Sequence, residues 1–428
     1  MLKTLSIKIP GNRFRRPNTL RHFSPKNLIL IELLYVINIH WIVDLMGLPP
    51  MLMRMDAVIA LILIGWQSKK IINYVKRRNL FKIFFLFYTC TNMIGVLFNG
   101  FNPIYVLYTF LKNYVFFFFV IVCIVSLKKE DFYSFMEILC KFHVLNFILC
   151  MYQYFMLGLQ SDYLGGLFGT VQGCNGYQNI YAVVICCYLI YKYLNGESIL
   201  RLGIYVCSFL AIAALADIVG FFVIIGACFI ILLFFMDKIG KRVKIIGILV
   251  SAVLVGVNVF KLIYPIRYEY FTNSANWLKY MGFGKKSSGG IYGISRVNPF
   301  SQIDSRFFRG DLMKKIFGLG YGNCSQSENL QIFQSEFYLK NIHFQYYWFA
   351  TAYTYLENGI CGLMSYLILV IGCIYESLKS IIRKTNRNLG IFSFMLSFAY
   401  VFIFFYNQSL ITSAGYIFYF ALAGIFII

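Results

Sequence analysis

The sequence predicts an all-α membrane protein with about twelve transmembrane helices. Of its 428 residues, 60% are hydrophobic and only 13% are charged, whereas soluble proteins carry about 25% charged residues. Apolar runs close to the roughly 20 residues that cross a bilayer recur along the whole chain, so we expect no separate soluble domain. Lipid is therefore the predicted solvent of most of this protein.

The predicted spans are joined by short polar segments, except for one long loop between the ninth and the tenth span. The first span carries Glu32 and Asp44 and is not followed by a small-residue cleavage site, which favours a membrane helix over a signal peptide. The twelve spans lie near residues 28–47, 52–68, 80–98, 104–127, 132–157, 178–194, 200–216, 218–236, 245–263, 360–376, 389–405 and 409–427.

The positions of the basic residues predict the orientation of the chain. With the N-terminus in the cytoplasm, the inner segments hold twenty-five Lys and Arg residues and the short outer turns hold one, Arg54. Basic residues are retained on the cytoplasmic side of a membrane, so both termini are predicted to be cytoplasmic. The net charge of +22 then reflects topology and contact with anionic lipids, and no nucleic-acid partner is expected.

The long exterior loop, residues 264–343, separates a nine-span portion, residues 1–263, from a three-span portion, residues 344–428. The loop holds ten basic and five acidic residues. A positive surface just outside the membrane would attract an anionic partner such as a lipid phosphate. A solvated cap without a ligand is the alternative.

Two arginines in this loop are the first candidates for binding a phosphate. Residues 305–317 carry an apolar side chain at every fourth position from Phe308 to Ile316, which predicts one short amphipathic helix. Arg306 and Arg309 are three residues apart, so both guanidinium groups could face one diphosphate from that helix. Contact with lipid headgroups is the simpler alternative for both side chains.

Further candidates follow in the loop and at its return to the membrane. The backbone amides of Gly318 and Gly320, in the run GLGYGN, could approach phosphate or sugar oxygens, although an ordinary turn is the alternative. His343 is a candidate base for an acceptor hydroxyl, or a residue with a structural hydrogen bond. Glu357 is a second candidate base, or the anchor of the membrane helix predicted to begin near Gly359.

The remaining candidates lie in the turn before the sixth span and inside the spans. That turn is rich in glycine and short polar side chains, which suits a lid or a sugar-contacting loop, and Asn175 and Asn179 are its candidate contacts. Lys112 lies inside a span without a local partner, so a lipid phosphate is its candidate ligand. No metal or cofactor motif is found, and neither is predicted.

Three stretches resemble the O-antigen polymerase and ligase superfamily, whose members assemble bacterial surface polysaccharides. They are GLFG and NGYQN within 166–179, SRFFRGDLMKKIFGLGYGN at 305–323 and YLENGICGL at 355–363. The resemblance implies that Arg306 or Arg309 lies near the pyrophosphate of an undecaprenyl-linked oligosaccharide. The family's first motif usually carries an arginine, and this sequence has none between residues 158 and 200.

Within that superfamily the sequence favours a polymerase over a ligase. The ligase signature places a histidine about eleven residues before the final glycine motif, where this chain has Trp348, five residues after His343. The resemblance implies glycosyl transfer between undecaprenyl-pyrophosphate-linked repeat units on the outer face of the bacterial plasma membrane. A ligase, a flippase for the same lipid-linked oligosaccharide and a structural scaffold are the alternatives, and a chain-length regulator is an open partner.

Overall fold

The structure, a computed structural model, describes residues 24–236, 239–273, 276, 293–296, 298–327 and 330–427. Across those residues the chain forms α-helices, short 3-10 turns and a π-helical turn, without a strand. The basic cluster before residue 24 and three lysines of the long loop lie outside the described residues, the lysines being Lys279, Lys285 and Lys286.

Nine helices make up the described part of the chain before residue 264, and each coincides with a predicted span. Asn102 shows how such a helix begins, because its Oδ1 accepts the N–H groups of Ile104 at 3.1 Å and Tyr105 at 3.4 Å beside a proline at the first helical position. The helices are α1 Pro25–Met46, α2 Met55–Arg77, α3 Asn79–Asn99, α4 Pro103–Ser126, α5 Lys129–Phe155, α6 Cys174–Leu194, α7 Ile199–Leu215, α8 Val219–Phe235 and α9 Ile239–Ile263.

Seven more helices follow in the described residues of the loop and the C-terminal portion. Four are short, namely α10 Pro265–Thr272, α11 Pro299–Ile303, α12 Leu312–Phe317 and α13 Glu336–Asn341. The last three are α14 Ala350–Arg383, α15 Arg387–Tyr406 and α16 Gly415–Ile427. α14 is interrupted at Gly359, whose φ of 63° and ψ of −160° are not helical, so a second helical segment begins there, where the sequence predicts the start of a membrane helix.

Seven helices in the described part of the chain are long and apolar enough to cross a membrane. They are Pro25–Met46, Pro50–Arg77, Asn79–Asn99, Pro103–Ser126, Lys129–Phe155, Ala350–Arg383 and Arg387–Tyr406. Three apolar helices, α7, α8 and α16, are shorter, with 17, 17 and 13 residues. The chain is therefore an all-α membrane protein, and the number of twelve spans stays a prediction.

The two ends of the helix bundle differ in what they contact. At the end where α3 finishes and α4 begins, which we name the loop end, Asn99 Nδ2 donates to the Gly318 carbonyl of the long loop at 3.3 Å. At the opposite end, the basic end, Lys26 pairs with Asp131. The segments predicted to be outer and inner thus contact opposite ends of the bundle.

An ion-pair network ties three helices together at the basic end. The sequence suggests that Glu137 and Lys141 neutralise each other, since they are four residues apart. Instead, Glu137 binds Lys192 at 3.1 Å and Arg201 at 2.8 Å, and Glu197 binds the same two bases at 2.8 and 3.0 Å. That prediction is wrong because the turn between α6 and α7 brings two cations to α5.

The orientation of the bundle can be tested with reporter fusions. We expect fusions at Asn73 and Thr385 to report the cytoplasm, and fusions at Thr170 and Gly310 to report the outside, because the bias of basic residues dictates it. The measurement pairs a phosphatase that is active only outside with a fluorescent protein that folds only inside. A cytoplasmic signal at Gly310 would contradict the side assigned to the long loop.

Candidate functional site

The long loop is held in place by a break in α14 at Gly359. This glycine has φ 63° and ψ −160°, values that interrupt the helix. At the break, the carbonyls of Leu356 and Glu357 accept the N–H groups of Leu319 at 2.8 Å and Gly320 at 3.0 Å. The glycine run of the loop is therefore docked on α14 through its backbone.

Glycine is required on both sides of this contact. A Cβ atom on Gly318 would lie closer than 3.0 Å to the backbone of Glu357, and one on Gly359 would lie equally close to the backbone of Ile316. Both residues also have positive φ, 73° and 63°, a region that L side chains rarely adopt. Two chain segments can approach this closely only because neither has a side chain.

The amide donors of the glycine run are used inside the protein. Gly318 N–H donates to the Lys314 carbonyl at 2.7 Å, Gly320 N–H to the Glu357 carbonyl, and Gly322 N–H to Glu357 Oε1 at 2.9 Å. The prediction that the amides of Gly318 and Gly320 approach phosphate or sugar oxygens is wrong for this reason. The run is a packing element between α3, α4 and α14.

Glu357 lies beneath this docked run. Its side chain is 1% exposed, and Oε1 accepts from Gly322 N–H and from the Tyr353 hydroxyl at 3.2 Å. Lys112 is close enough to act on the carboxyl group electrostatically. A base must reach the hydroxyl that it deprotonates, so this geometry favours the anchoring role of Glu357 over the catalytic one.

Lys112 has partners that its local sequence does not reveal. Its Nζ donates to Gln326 Oε1 at 3.1 Å and lies 5.2 Å from the ring centre of Tyr353. The side chain is 7% exposed. The long loop thus supplies a distant partner, Gln326, to the buried ammonium group, and a lipid phosphate as its ligand stays a prediction.

The arginine segment is not one helix. A π-helical turn, Asp304–Phe308, ends where Arg309 N–H donates to the Asp304 carbonyl at 2.7 Å. Arg309 and Gly310 then take positive φ values of 51° and 87°, which reverse the chain. The predicted continuous amphipathic helix is wrong, and Leu312, placed on its apolar face, is 67% exposed.

A new helix begins beyond the reversal. Asp311 Oδ1 accepts the N–H groups of Met313 at 3.0 Å and Lys314 at 3.3 Å, which is the usual cap of a helix start. The N–H of Lys314 holds the pKa of the Asp311 carboxyl below its usual value. The cap is therefore formed at neutral pH, and it is lost as the pH falls through that lowered pKa.

Two predicted site residues meet at one aromatic ring. Arg306 Cζ lies 4.8 Å from the ring centre of Phe344, and the His343 ring lies 4.2 Å from it. His343 has no hydrogen bond to its ring from the described residues, so the structural hydrogen bond allowed by the sequence is absent there. Arg306 and His343 are thus brought together, whereas Arg309 is exposed at the chain reversal.

The glycine-rich turn before α6 packs inward. Asn175 Nδ2 donates to Asp162 Oδ1 and to the Ala216 carbonyl, both at 3.1 Å, so its amide donor is used by the protein. Asn179 is fully buried, and its amide has no hydrogen-bond partner among the described residues. Asn179 therefore lies inside the bundle and not on the surface of the turn, and its contact with a sugar stays a prediction.

A long apolar groove lies between α2, α3 and α4. Its volume is about 700 Å³, and its lining extends from Val75 and Lys76, near the basic end, to Phe101 and Tyr321, at the loop end. Among the described residues that line it, Lys76 carries the charge, and Tyr114 and Tyr321 contribute phenol groups. Tyr321 belongs to the docked glycine run, so the groove ends at the long loop.

Neither a protein-family model nor a curated protein matches this chain.

Sequence reasoning did not anticipate the groove or its end at Tyr321. Exposed apolar residues such as Ile72 and Met93 line the groove. The residues that face lipid on a membrane helix are also apolar, so the sequence does not distinguish the two environments. The one feature of the sequence that relates to the groove is Tyr321, an aromatic residue within the glycine-rich run GLGYGN. Its place at the end of the groove is evident only in the structure, where this run packs on α14.

Proposed function

We propose that this protein polymerises undecaprenyl-pyrophosphate-linked oligosaccharide repeat units into O-antigen or capsular polysaccharide at the outer face of the bacterial plasma membrane. The observation that carries the proposal is the apolar groove of about 700 Å³, which ends at Tyr321 of the long loop. An apolar groove of this kind suits a lipid tail, and the polar loop at its end suits a charged head group.

The proposed reaction is a transfer of one glycosyl group. The bond between the donor sugar and its pyrophosphate breaks, a new bond forms to a hydroxyl of the acceptor unit, and the hydroxyl proton leaves. Undecaprenyl pyrophosphate departs with the electron pair of the broken bond. Because this leaving group is already activated, positioning the two substrates and stabilising the charge of the diphosphate can supply most of the catalysis.

Two residues have roles in this proposal. Arg306 is the group proposed to stabilise the departing pyrophosphate, since its guanidinium can form charge-assisted hydrogen bonds. His343 is the proposed base for the acceptor hydroxyl, because its ring lies against the same Phe344 ring as Arg306 and an imidazole can accept a proton on a ring nitrogen.

The test is polymerisation by the purified protein in liposomes. The lipid-linked repeat unit, extracted from cells that lack this gene, is added, and the products are separated by length. We expect a ladder of lengths, with the same ladder from the control variant Lys340→Ala, whose exposed side chain pairs with Glu336 at 3.2 Å. Movement of single units across the membrane without a ladder would favour a flippase and contradict the proposal.

A further inference from the structure

A second cavity lies at the loop end, beside the apolar groove. Its volume is about 290 Å³, close to the lower limit of small-molecule pockets. Both cavities are lined by Phe101, so they adjoin. We name the second one the amide cavity after its lining, which includes Asn99, Asn102, Tyr105, Asn323 and Phe337.

The polar atoms of the amide cavity are partly used by the protein. Asn99 and Asn323 use their Nδ2 groups as donors to backbone carbonyls, while their Oδ1 atoms have no partner among the described residues. Asn102 uses its Oδ1 atom to cap α4, and its Nδ2 group has no described partner. The Tyr105 hydroxyl is likewise without one in the described part of the chain. Both hydrogen-bond donors and acceptors are therefore left for a ligand.

The lining also indicates the chemistry of that ligand. Among the described residues that line the cavity, none is Lys or Arg, so a phosphate gains no cationic partner from them. Of the same residues Glu336 is charged, and it pairs with Lys340 at 3.2 Å. Amides, a phenol and the Phe337 ring together suit a neutral molecule with hydroxyl groups and an apolar face, which describes a sugar.

The position of the cavity fits a ligand that joins a lipid to a charged group. One side adjoins the apolar groove through Phe101. On another side, the Phe337 ring lies 5.2 Å from the Phe307 ring, and Phe307 lies 5.3 Å from the Phe344 ring that Arg306 covers. The amide cavity is thus connected by packed side chains to both the groove and Arg306.

We infer that the amide cavity is a saccharide subsite, which holds a sugar of the lipid-linked repeat unit. The inference rests on the proposed function for the lipid to which the sugar is attached. The geometry assigns Asn99 and Asn323 as acceptors for sugar hydroxyls, and Asn102 as a donor. Tyr105 supplies a hydroxyl that can act in either direction.

The test compares two lipids that differ in the sugar. Purified protein in lipid nanodiscs is titrated with the lipid-linked repeat unit from cells lacking this gene, and separately with undecaprenyl pyrophosphate. We expect the sugar-bearing lipid to bind more tightly to the unaltered protein. In the double variant Asn102→Asp, Tyr105→Phe, two hydrogen bonds are lost, so this advantage should fall by about tenfold, with binding of undecaprenyl pyrophosphate unchanged.

The substitutions are chosen to preserve the fold. Asn102→Asp keeps the Oδ1 atom that caps α4 and removes only the amide donor. Asn298→Asp is the matched control, because it makes the same change of charge on an exposed residue of the long loop outside the cavity. It should bind both lipids as the unaltered protein does.

The outcomes separate the inference from the proposed function. If both lipids bind equally well to the unaltered protein, or if the double variant retains the full advantage of the sugar, the saccharide subsite is refuted and the proposed function stands. If neither lipid binds, the proposed function fails and the inference fails with it. If Asn298→Asp reduces the advantage of the sugar-bearing lipid as much as the double variant does, the added negative charge explains the reduction, and the subsite is also refuted.

Discussion

Replacing Arg306 by alanine is expected to lower the rate of polymer formation by roughly tenfold to a hundredfold. A hydrogen bond to a charged group is worth roughly 1.5 to 3 kcal/mol, and about 1.4 kcal/mol corresponds to a factor of ten in rate. The estimate applies if the contact with the pyrophosphate persists in the transition state. The measurement is the initial rate of ladder formation in liposomes.

Arg306→Lys should restore only part of this loss. The ammonium group keeps the positive charge but cannot make two parallel hydrogen bonds to a phosphate. A lysine also stacks less well on the Phe344 ring, which the guanidinium covers at 4.8 Å. A full recovery with lysine would indicate that charge alone matters at this position.

Arg309 has a left-handed φ of 51°. Arg309→Ala removes the guanidinium group and leaves the backbone strain unchanged, because arginine and alanine both carry a Cβ atom at this φ. We expect a smaller loss than for Arg306→Ala, since Arg309 is exposed and its charge is screened by salt. The effect should diminish further as the ionic strength of the assay is raised.

The control for both arginines is Lys340→Ala, which removes an exposed cation from the same loop. Its expected rate is that of the unaltered protein, because Lys340 pairs with Glu336 at the surface and such pairs contribute little. Each variant is first shown to reach the membrane in normal amount. Full-length polymer at the normal rate from Arg306→Ala would refute the proposed role of this arginine.

Gly359→Ala is expected to destabilise the protein by about 3 kcal/mol or more, which is the largest stability effect that we predict. The φ of 63° and ψ of −160° carry a strain of roughly 1 to 3 kcal/mol for other residues. The new Cβ would also overlap the backbone of Ile316, which cannot move without undocking the glycine run. The measurement is the melting temperature in detergent, together with the amount of folded protein in the membrane.

Two glycines provide matched controls for this substitution. Gly310→Ala changes a residue with φ 87° and open space around its Cα, so it measures the backbone strain without the overlap, roughly 1 to 2 kcal/mol. Gly65→Ala lies in the middle of α2 with open space, and it should be neutral or slightly stabilising. A melting temperature for Gly359→Ala equal to that of Gly310→Ala would contradict the close docking of the loop.

The sequence by itself determined that this is an all-α membrane protein, and it located the helices. The length of an apolar run can be read directly from the sequence, because it depends only on neighbouring residues. For this reason α4, predicted at 104–127, is observed at Pro103–Ser126. The predicted start of a membrane helix near Gly359 coincides with the break in α14. The helical turns before Gly359 were not predicted, because they contain Thr, Tyr, Glu and Asn, which lower their hydropathy. Those residues are nevertheless buried, against the long loop.

The tertiary structure alone decided how the candidate residues are used. Lys112 is paired with Gln326, which is distant in the sequence, and Glu357 is buried by a glycine run that docks on it through Gly322. Arg306 and Arg309 were assigned to one helix face from their spacing, but the bond between the Arg309 N–H and the Asp304 carbonyl ends that turn. A residue pattern reports local propensity, whereas these outcomes depend on contacts between segments far apart in the chain.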